Sequence, residues 1–498
     1  MPAPVAEETM NAAELKSRIE TLVEANRDAI INTLCELLRF RTISGPASEE
    51  ERQAFEQATR DCLAYLEKQC SEMGFVWRNH NNHVAVAELP YDGEFIGLPV
   101  HIDVVPVGEG WTYDPFGGIV ADGYIWGRGT QDDKGPVVQM LWAMKLFKEL
   151  GLELKRGVRL IVGTTEEYGD WTDMKLYFEK EPAPAMAIVP DADFPIVNGE
   201  KGVLNAKVVI EFAEAAASEG LRLKCARAGQ RPNMVPDRAK LTFECAVGHD
   251  IEQLNNELQR FLAKNPEARA ELQAQGTEAT IVFRGVSVHG SRPEHGHNAA
   301  TDMLHFMADS AFISDDEADI AQFLHRASAD LYGECFGIRS EHPFIGKTTV
   351  SLGTLTWEAG RVEAVFNIRP TFGLPVAHAL DQVRSVIEEF GDDMGFDVEV
   401  DSLAKEPFDA IYVEESSQPE LIGALREAYT TITGRPFEFR AMAGTTYAKV
   451  FPNAVNFGPT DPAEEQEFAH RCDERVAVEH HLRNVKLYTY AIARLCGA

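Results

Sequence analysis

The sequence predicts an α/β protein in which a discontinuous first domain, residues 1–204 and 403–498, carries an inserted α+β domain over residues 205–402. Short apolar runs that end in polar residues alternate with amphipathic stretches on both sides of the insert, the pattern of buried strands alternating with helices. Within the insert, alternating apolar and polar runs mix with acidic helical stretches. The length of 498 residues agrees, because it exceeds what one hydrophobic core usually organises.

Taken in order, Ala12 to Arg41 places Leu15, Ile19, Leu22, Ile30, Leu34, Leu37 and Leu38 at helical spacing and predicts one helix. Gly97 to Val100, Val158 to Gly163 and Ala185 to Val189 predict buried strands. A helix opens near Pro136, with Val137, Met140, Leu141, Met144 and Phe147 on one stripe and Gly151 placed to end it. In the insert, Ala206 to Phe212 and Lys240 to Val247 read as strands. From Pro407 the first pattern resumes, with helix over Pro419 to Thr433, strand over Ala454 to Phe457 and helix over Glu479 to Leu495. No internal repeat or low-complexity linker is visible.

Composition excludes some partners. A hydrophobic fraction of 45% and a charged fraction of 25% are ordinary for a globular protein. The formal charge of -32 repels phosphate backbones and anionic lipid, so neither nucleic acid nor a membrane surface is an expected partner. The cysteines at 35, 62, 70, 225, 245, 335, 472 and 496 form no CxxC pair, and those at 35 and 62 sit in amphipathic helical stretches, as buried free thiols do. The opening Met-Pro-Ala-Pro has no basic segment followed by an apolar one, and no run of about 18 apolar residues occurs, so a cytoplasmic protein is expected.

Polar clusters close the predicted strands: His101-Ile-Asp103, Asp132-Asp133, Glu166-Glu167 and Asp191-Ala-Asp193. In an open α/β sheet the carboxyl ends of the strands converge on one crevice, so clusters distant in sequence can meet there. Carboxylates gathered without arginine repel one another unless cations hold them. Histidine beside carboxylate suits zinc, manganese or cobalt better than calcium or magnesium. His101, Asp132, Glu167, Asp191 and His470 can supply such a ligand set and leave Glu166 free as a base. Singly, a Glu-Glu pair is more often a solvated face and a His-x-Asp a surface hydrogen bond; their shared position behind apolar strands argues for a common site.

The stretches Val100-His-Ile-Asp-Val-Val-Pro-Val-Gly108, Gly127-Arg-Gly-Thr-Gln-Asp-Asp-Lys-Gly135 and Thr164-Thr-Glu-Glu-Tyr168 resemble the M20 metallopeptidases. Pro190-Asp-Ala-Asp-Phe-Pro195 and Asn198-Gly-Glu-Lys-Gly202 resemble the PepV- and Sapep-type dipeptidases within that family. The resemblance runs from about Glu36 to the C-terminus and thins in the insert. It implies a mixed-sheet catalytic domain with an inserted α+β lid. It also implies that Asp132 bridges two divalent cations, zinc ahead of manganese or cobalt, with His101 and Asp191 completing one site and Glu167 and His470 the other. Asp103 would orient His101, and the Asp132-Asp133 peptide bond would be cis. Asp193 is the rival to Asp191, and His480 and His481 are the rivals to His470.

In the insert, Gly285-Val-Ser-Val-His289-Gly-Ser-Arg-Pro-Glu-His-Gly-His-Asn-Ala299 resembles the family segment whose first histidine stabilises the oxyanion. His295 and His297 read as loop residues, though three clustered histidines also offer adventitious metal binding. Asn233 in Arg-Pro-Asn-Met-Val-Pro and Arg369 in Phe-Asn-Ile-Arg-Pro resemble substrate contacts, the arginine fork selecting a free carboxylate. Gly444, Thr445 and Thr446 lie in a further substrate-binding stretch, where this chain has Gly-Thr-Thr-Tyr-Ala-Lys449 and the dipeptidases typically have Gly-Gly-Thr-Tyr-Ala-Arg.

The implied activity is hydrolysis of short unblocked peptides by a metal-bridging hydroxide, with Glu166 as general base and His289 at the oxyanion. The lid carries His289, so closure on substrate is expected, and the length of the insert favours a monomer. An N-acyl amino acid deacylase or carboxypeptidase of the same family is the nearest alternative. A catalytically silent, metal-stabilised binding protein is the alternative of another class.

Overall fold

The helix expected over Ala12 to Arg41 is, in the computed structural model, two helices, Ala12–Ala25 and Arg27–Leu37. Asn11 caps the first, its Oδ1 accepting from Glu14 N at 3.0 Å. At Asn26 the backbone leaves helical geometry (φ -107°, ψ 7°), and the side-chain amide donates to Leu22 O at 2.9 Å. A side chain that competes for backbone partners is the reason the apolar stripe continues while the helix breaks. The next helix, Glu49–Met73, starts on Ser48, buries Cys62, Leu63, Leu66 and Cys70, and ends at Gly74 in the left-handed region (φ 74°).

The structure describes residues 10–213, 221–245, 249–403 and 408–497. The expectations placed on the opening Met-Pro-Ala-Pro, on Val247 and on Pro407 lie outside these residues. The chain divides into one unit of residues 1–199, 412–440 and 446–498 and a second of 200–411 and 441–445. Each has its own hydrophobic core.

The first unit is built on a mixed sheet ordered Val76–His80, Val84–Leu89, Gly157–Gly163, Phe95–His101, Met186–Val189, Ala454–Asn456, Val197–Glu200. Phe95–His101 runs parallel to both Gly157–Gly163 and Met186–Val189, and Ala454–Asn456 runs parallel to Met186–Val189, while the outer strands pair antiparallel. Gly157–Gly163 is buried at every position, as a strand covered on both faces must be. Helices Lys134–Leu150 and Val478–Cys496 pack on each other and on the two central strands. The first of these opens at Lys134 rather than at Pro136, with Asp133 as the capping position, and ends at Gly151 (φ 69°) as expected.

The second unit is an antiparallel sheet ordered Arg269–Gln275, Glu278–Arg284, Arg238–Cys245, Leu221–Ala228, Thr349–Glu358, Arg361–Arg369, Leu204–Glu211, Asp397–Ser402. Leu221–Ala228 shows the alternation of a sheet with one wet face: Leu221, Leu223, Ala226 and Ala228 are buried, while Arg222, Lys224 and Arg227 are exposed. Helices Ala299–Asp309, Asp315–Ala329 and Val376–Met394 cover the other face. Among the described residues, no helix is long and apolar enough to cross a membrane.

Candidate metal centre

The parallel strands of the first unit end in the predicted clusters. His101 is the last residue of its strand, Glu166 and Glu167 follow Gly157–Gly163, and Asp191 follows Met186–Val189. Asp132 and Asp133 differ from expectation. They follow no strand of this sheet but lie in the turn that opens the helix Lys134–Leu150. The peptide bond between them is cis.

These residues form two groups. Ligand atoms of His101, Glu166 and Asp191 all lie within 4.8 Å of one another, and so do those of Asp132, Glu167 and His470. Asp132 joins the groups: its Oδ1 is 3.1 Å from His101 Nε2, and its Oδ2 is 2.9 Å from His470 Nε2. His470 Nε2 is 3.0 Å from Glu167 Oε1, and His101 Nε2 is 3.9 Å from Asp191 Oδ2. His470 is the exposed member. Asp193 instead pairs with Arg440 at 3.5 Å, His480 faces Glu465, and the buried His481 contacts Gln139 at 3.0 Å.

The donor set fits divalent cations. His101 Nε2 and Asp132 Oδ1 are buried and take no hydrogen bond although they face each other. Burial, then the Asp191 charge, pushes the Glu166 carboxyl well above the ordinary carboxylate range; burial, then the Asp132 charge, does the same to Asp191. Burial lowers His470, but Asp132 and Glu167 outweigh it and push it up to about 12. Burial likewise lowers His101, yet Asp103 and Asp132 raise it well above its usual value. The cluster thus draws in positive charge, as protons or as cations.

Buried neighbours fix the site. His101 Nδ1 lies 3.0 Å from the Asp103 carbonyl oxygen, a contact that places the ring proton on Nδ1 and turns the Nε2 lone pair into the site. The Asp103 carboxylate, expected to orient His101, has Oδ1 3.4 Å from His101 Nδ1 and also accepts from Glu166 N (3.2 Å) and Glu167 N (2.9 Å). Asp133 Oδ2 accepts from His101 N at 2.9 Å. Two residues not singled out from sequence complete the support: Asp173 accepts from Thr164 N and Thr165 N, and Tyr447 donates its hydroxyl to Asp173. Their roles are backbone anchoring, which leaves no pattern of metal-ligand residue types to read.

The remaining predicted residues fall mainly in the second unit. Asn233 O accepts from Gly290 N at 2.7 Å, and Met234 forms a bridge with His289, so Asn233 and His289 share one loop cluster. His289 Nδ1 is 2.7 Å from Ser291 Oγ. Arg369 is buried at 5% exposure; its Nε donates to Asn367 Oδ1 and its Nη1 to Ala443 O, both at 3.1 Å, and it has no acidic partner among the described residues. Ala443 adjoins Gly444. Thr445 Oγ1 is buried without a hydrogen bond. Thr446, assigned to the first unit, donates to Asn456 Oδ1 at 2.9 Å and accepts from Ala448 N at 3.1 Å. His297 pairs with Asp302 at 2.7 Å, and among the described residues the histidines at 289, 295 and 297 form no ligand group.

Residues 97–494 match the family described as Peptidase family M20/M25/M40. "Putative dipeptidase YtjP" of Bacillus subtilis is 29% identical over 478 residues, covering 96% of this chain and 99% of that protein. A Staphylococcus epidermidis protein named "Putative dipeptidase" is 30% identical over 446 residues, covering 88% and 90%. Among solved structures, human carnosine dipeptidase 1 shares the fold with a TM-score of 0.59 at 15% identity, covering 97% of this chain and 98% of that one.

Proposed function

This chain belongs to peptidase family M20/M25/M40 and is a metallopeptidase, and from that premise we propose that it is a dipeptidase acting on short, unblocked peptides. The observation that carries this reading is the pair of ligand groups, His101 with Glu166 and Asp191 and Asp132 with Glu167 and His470, joined through Asp132. The relatives named as dipeptidases support the choice of substrate length.

His101, Asp132 and Asp191 would hold one divalent cation, and Asp132, Glu167 and His470 the other, zinc ahead of manganese or cobalt for a histidine and carboxylate set. Such a pair, when bound, acidifies a water and polarises the scissile carbonyl. Glu166 takes the proton from the attacking water at its carboxylate and delivers it to the leaving amine. His289 donates to the developing oxyanion, and Arg369 receives the free C-terminal carboxylate of the peptide. Asn233 and the Gly444-Thr445-Thr446 stretch complete the substrate contacts. The protein works as a monomer in the cytoplasm, in keeping with its long insert and with described cysteines that are all free.

A substrate panel tests the reading. Free dipeptides should be cleaved after chelation and re-addition of zinc or manganese, while N-acylated amino acids and longer peptides are poor substrates. Hydrolysis of the N-acylated amino acids with free dipeptides left intact would instead establish a deacylase, and trimming of longer peptides would establish a carboxypeptidase.

A further inference from the structure

The turn carrying Asp132 and the loop carrying His470 hold each other through reciprocal side-chain contacts. From the first, Gln131 Oε1 accepts from Phe468 N (2.6 Å) and Ala469 N (3.1 Å), while its Nε2 donates to Gln466 O at 3.2 Å. From the second, Glu474 Oε1 accepts from Gly129 N (3.1 Å), Gln131 N (2.9 Å) and Asp132 N (3.3 Å). The other Glu474 oxygen takes Arg128 Nη1 at 2.5 Å, and the Glu474 carbonyl accepts from Gly127 N at 3.0 Å. Gln131 is 5% exposed and Glu474 is fully buried, so water does not compete for these contacts.

The Asp132 and His470 segments have a support that His101 and Glu166 lack. Asp132 is held by its own N–H on Glu474, and His470 follows directly on the Gln131-bound segment ending at Ala469. His101 and Glu166, in the other group, are anchored by Asp103 and Asp133, and Glu167 shares the Asp103 anchor. None of the Gln131 side-chain contacts reaches the group of His101, Glu166 and Asp191.

We propose that Gln131 and Glu474 are positioning residues whose reciprocal clamp sets the separation of Asp132 from His470: Glu474 holds the Asp132 turn that both sites share, and Gln131 holds the segment before His470, so that loss of the Gln131 contacts weakens the Asp132, Glu167 and His470 site and spares the other. The proposal rests on the two-cation reading above, and its test reads metal binding rather than turnover.

The test uses full-length protein stripped by chelator and titrated with zinc in a calorimeter, with cobalt absorption as a second readout. Wild type should take up two ions. Gln131→Met keeps the side-chain length but has neither acceptor nor amide donor; it should bind the first ion as wild type does and the second about 10–100-fold more weakly, the usual cost of losing an outer support. Gln131→Glu keeps the acceptor for the Phe468 and Ala469 amides and should restore most of the second affinity. Equal weakening of both ions, an unchanged second ion, or no restoration by Gln131→Glu would overturn the clamp. Fewer than two ions on the wild type would overturn the two-cation reading and the clamp with it.

Discussion

Replacing Arg369 with alanine should separate substrates by their C-terminal charge. Burial pushes the guanidinium down to about 10, so it remains charged at neutral pH. Its Nε and one Nη1 proton are used on Asn367 and Ala443, which leaves the second Nη1 proton and Nη2 to form a fork for a carboxylate. Each charge-assisted hydrogen bond contributes about 1.5–3 kcal/mol, so a bidentate pair contributes about 3–6 kcal/mol, or roughly 10²–10⁴ in kcat/KM. Water entering the emptied site favours the lower end, a loss of about 10²-fold. Arg369→Lys keeps the charge without the fork and should fall in between. The assay is kcat/KM for one dipeptide and for its C-terminal amide. The amide has no carboxylate to lose, so Arg369→Ala should reduce its hydrolysis far less. An equal loss on both substrates would refute the assignment and make Arg369 a structural residue.

Glu166→Gln should lower kcat by about 10²–10⁴-fold, the usual contribution of a general base, while leaving the metal content unchanged by elemental analysis. Metal removal should make stability depend on pH. The carboxyls of Glu166 and Asp191 and the imidazoles of His101 and His470 are all raised in the folded protein, so the native state binds more protons than the unfolded chain above the ordinary carboxylate value of about 4. The thermal midpoint of the metal-free protein should therefore fall as pH rises from that value toward neutrality, and saturating zinc should remove the slope. Gly135→Ala would place a methyl 2.0 Å from Thr130 O, displacing the Asp132 turn; it should destabilise by about 1–3 kcal/mol in urea unfolding and weaken zinc binding.

Much of the centre was legible because metal ligation demands particular residue types at strand ends. His101, Glu166, Glu167 and Asp191 sit where a parallel sheet delivers its carboxyl ends, and each is preceded by an apolar run that can be read. Asp132 was read from its motif, and its placement at a helix start rather than a strand end was not visible. Glu474 and Gln131 were invisible for another reason: they act on backbone amides more than 300 residues away, and such a pairing depends on the closed fold rather than on local pattern. In the fold, apolar periodicity marked helix 419–433 with its observed bounds, yet it ran through Asn26, where a side-chain hydrogen bond to Leu22 stops the first helix.

The most direct test of the two-cation dipeptidase is a zinc titration of the chelated protein, with hydrolysis of a free dipeptide and bound metal followed together. Turnover that rises to its full value only as the second equivalent binds is the predicted result. Full activity at one equivalent, or two bound ions with no cleavage of any free dipeptide, would contradict it.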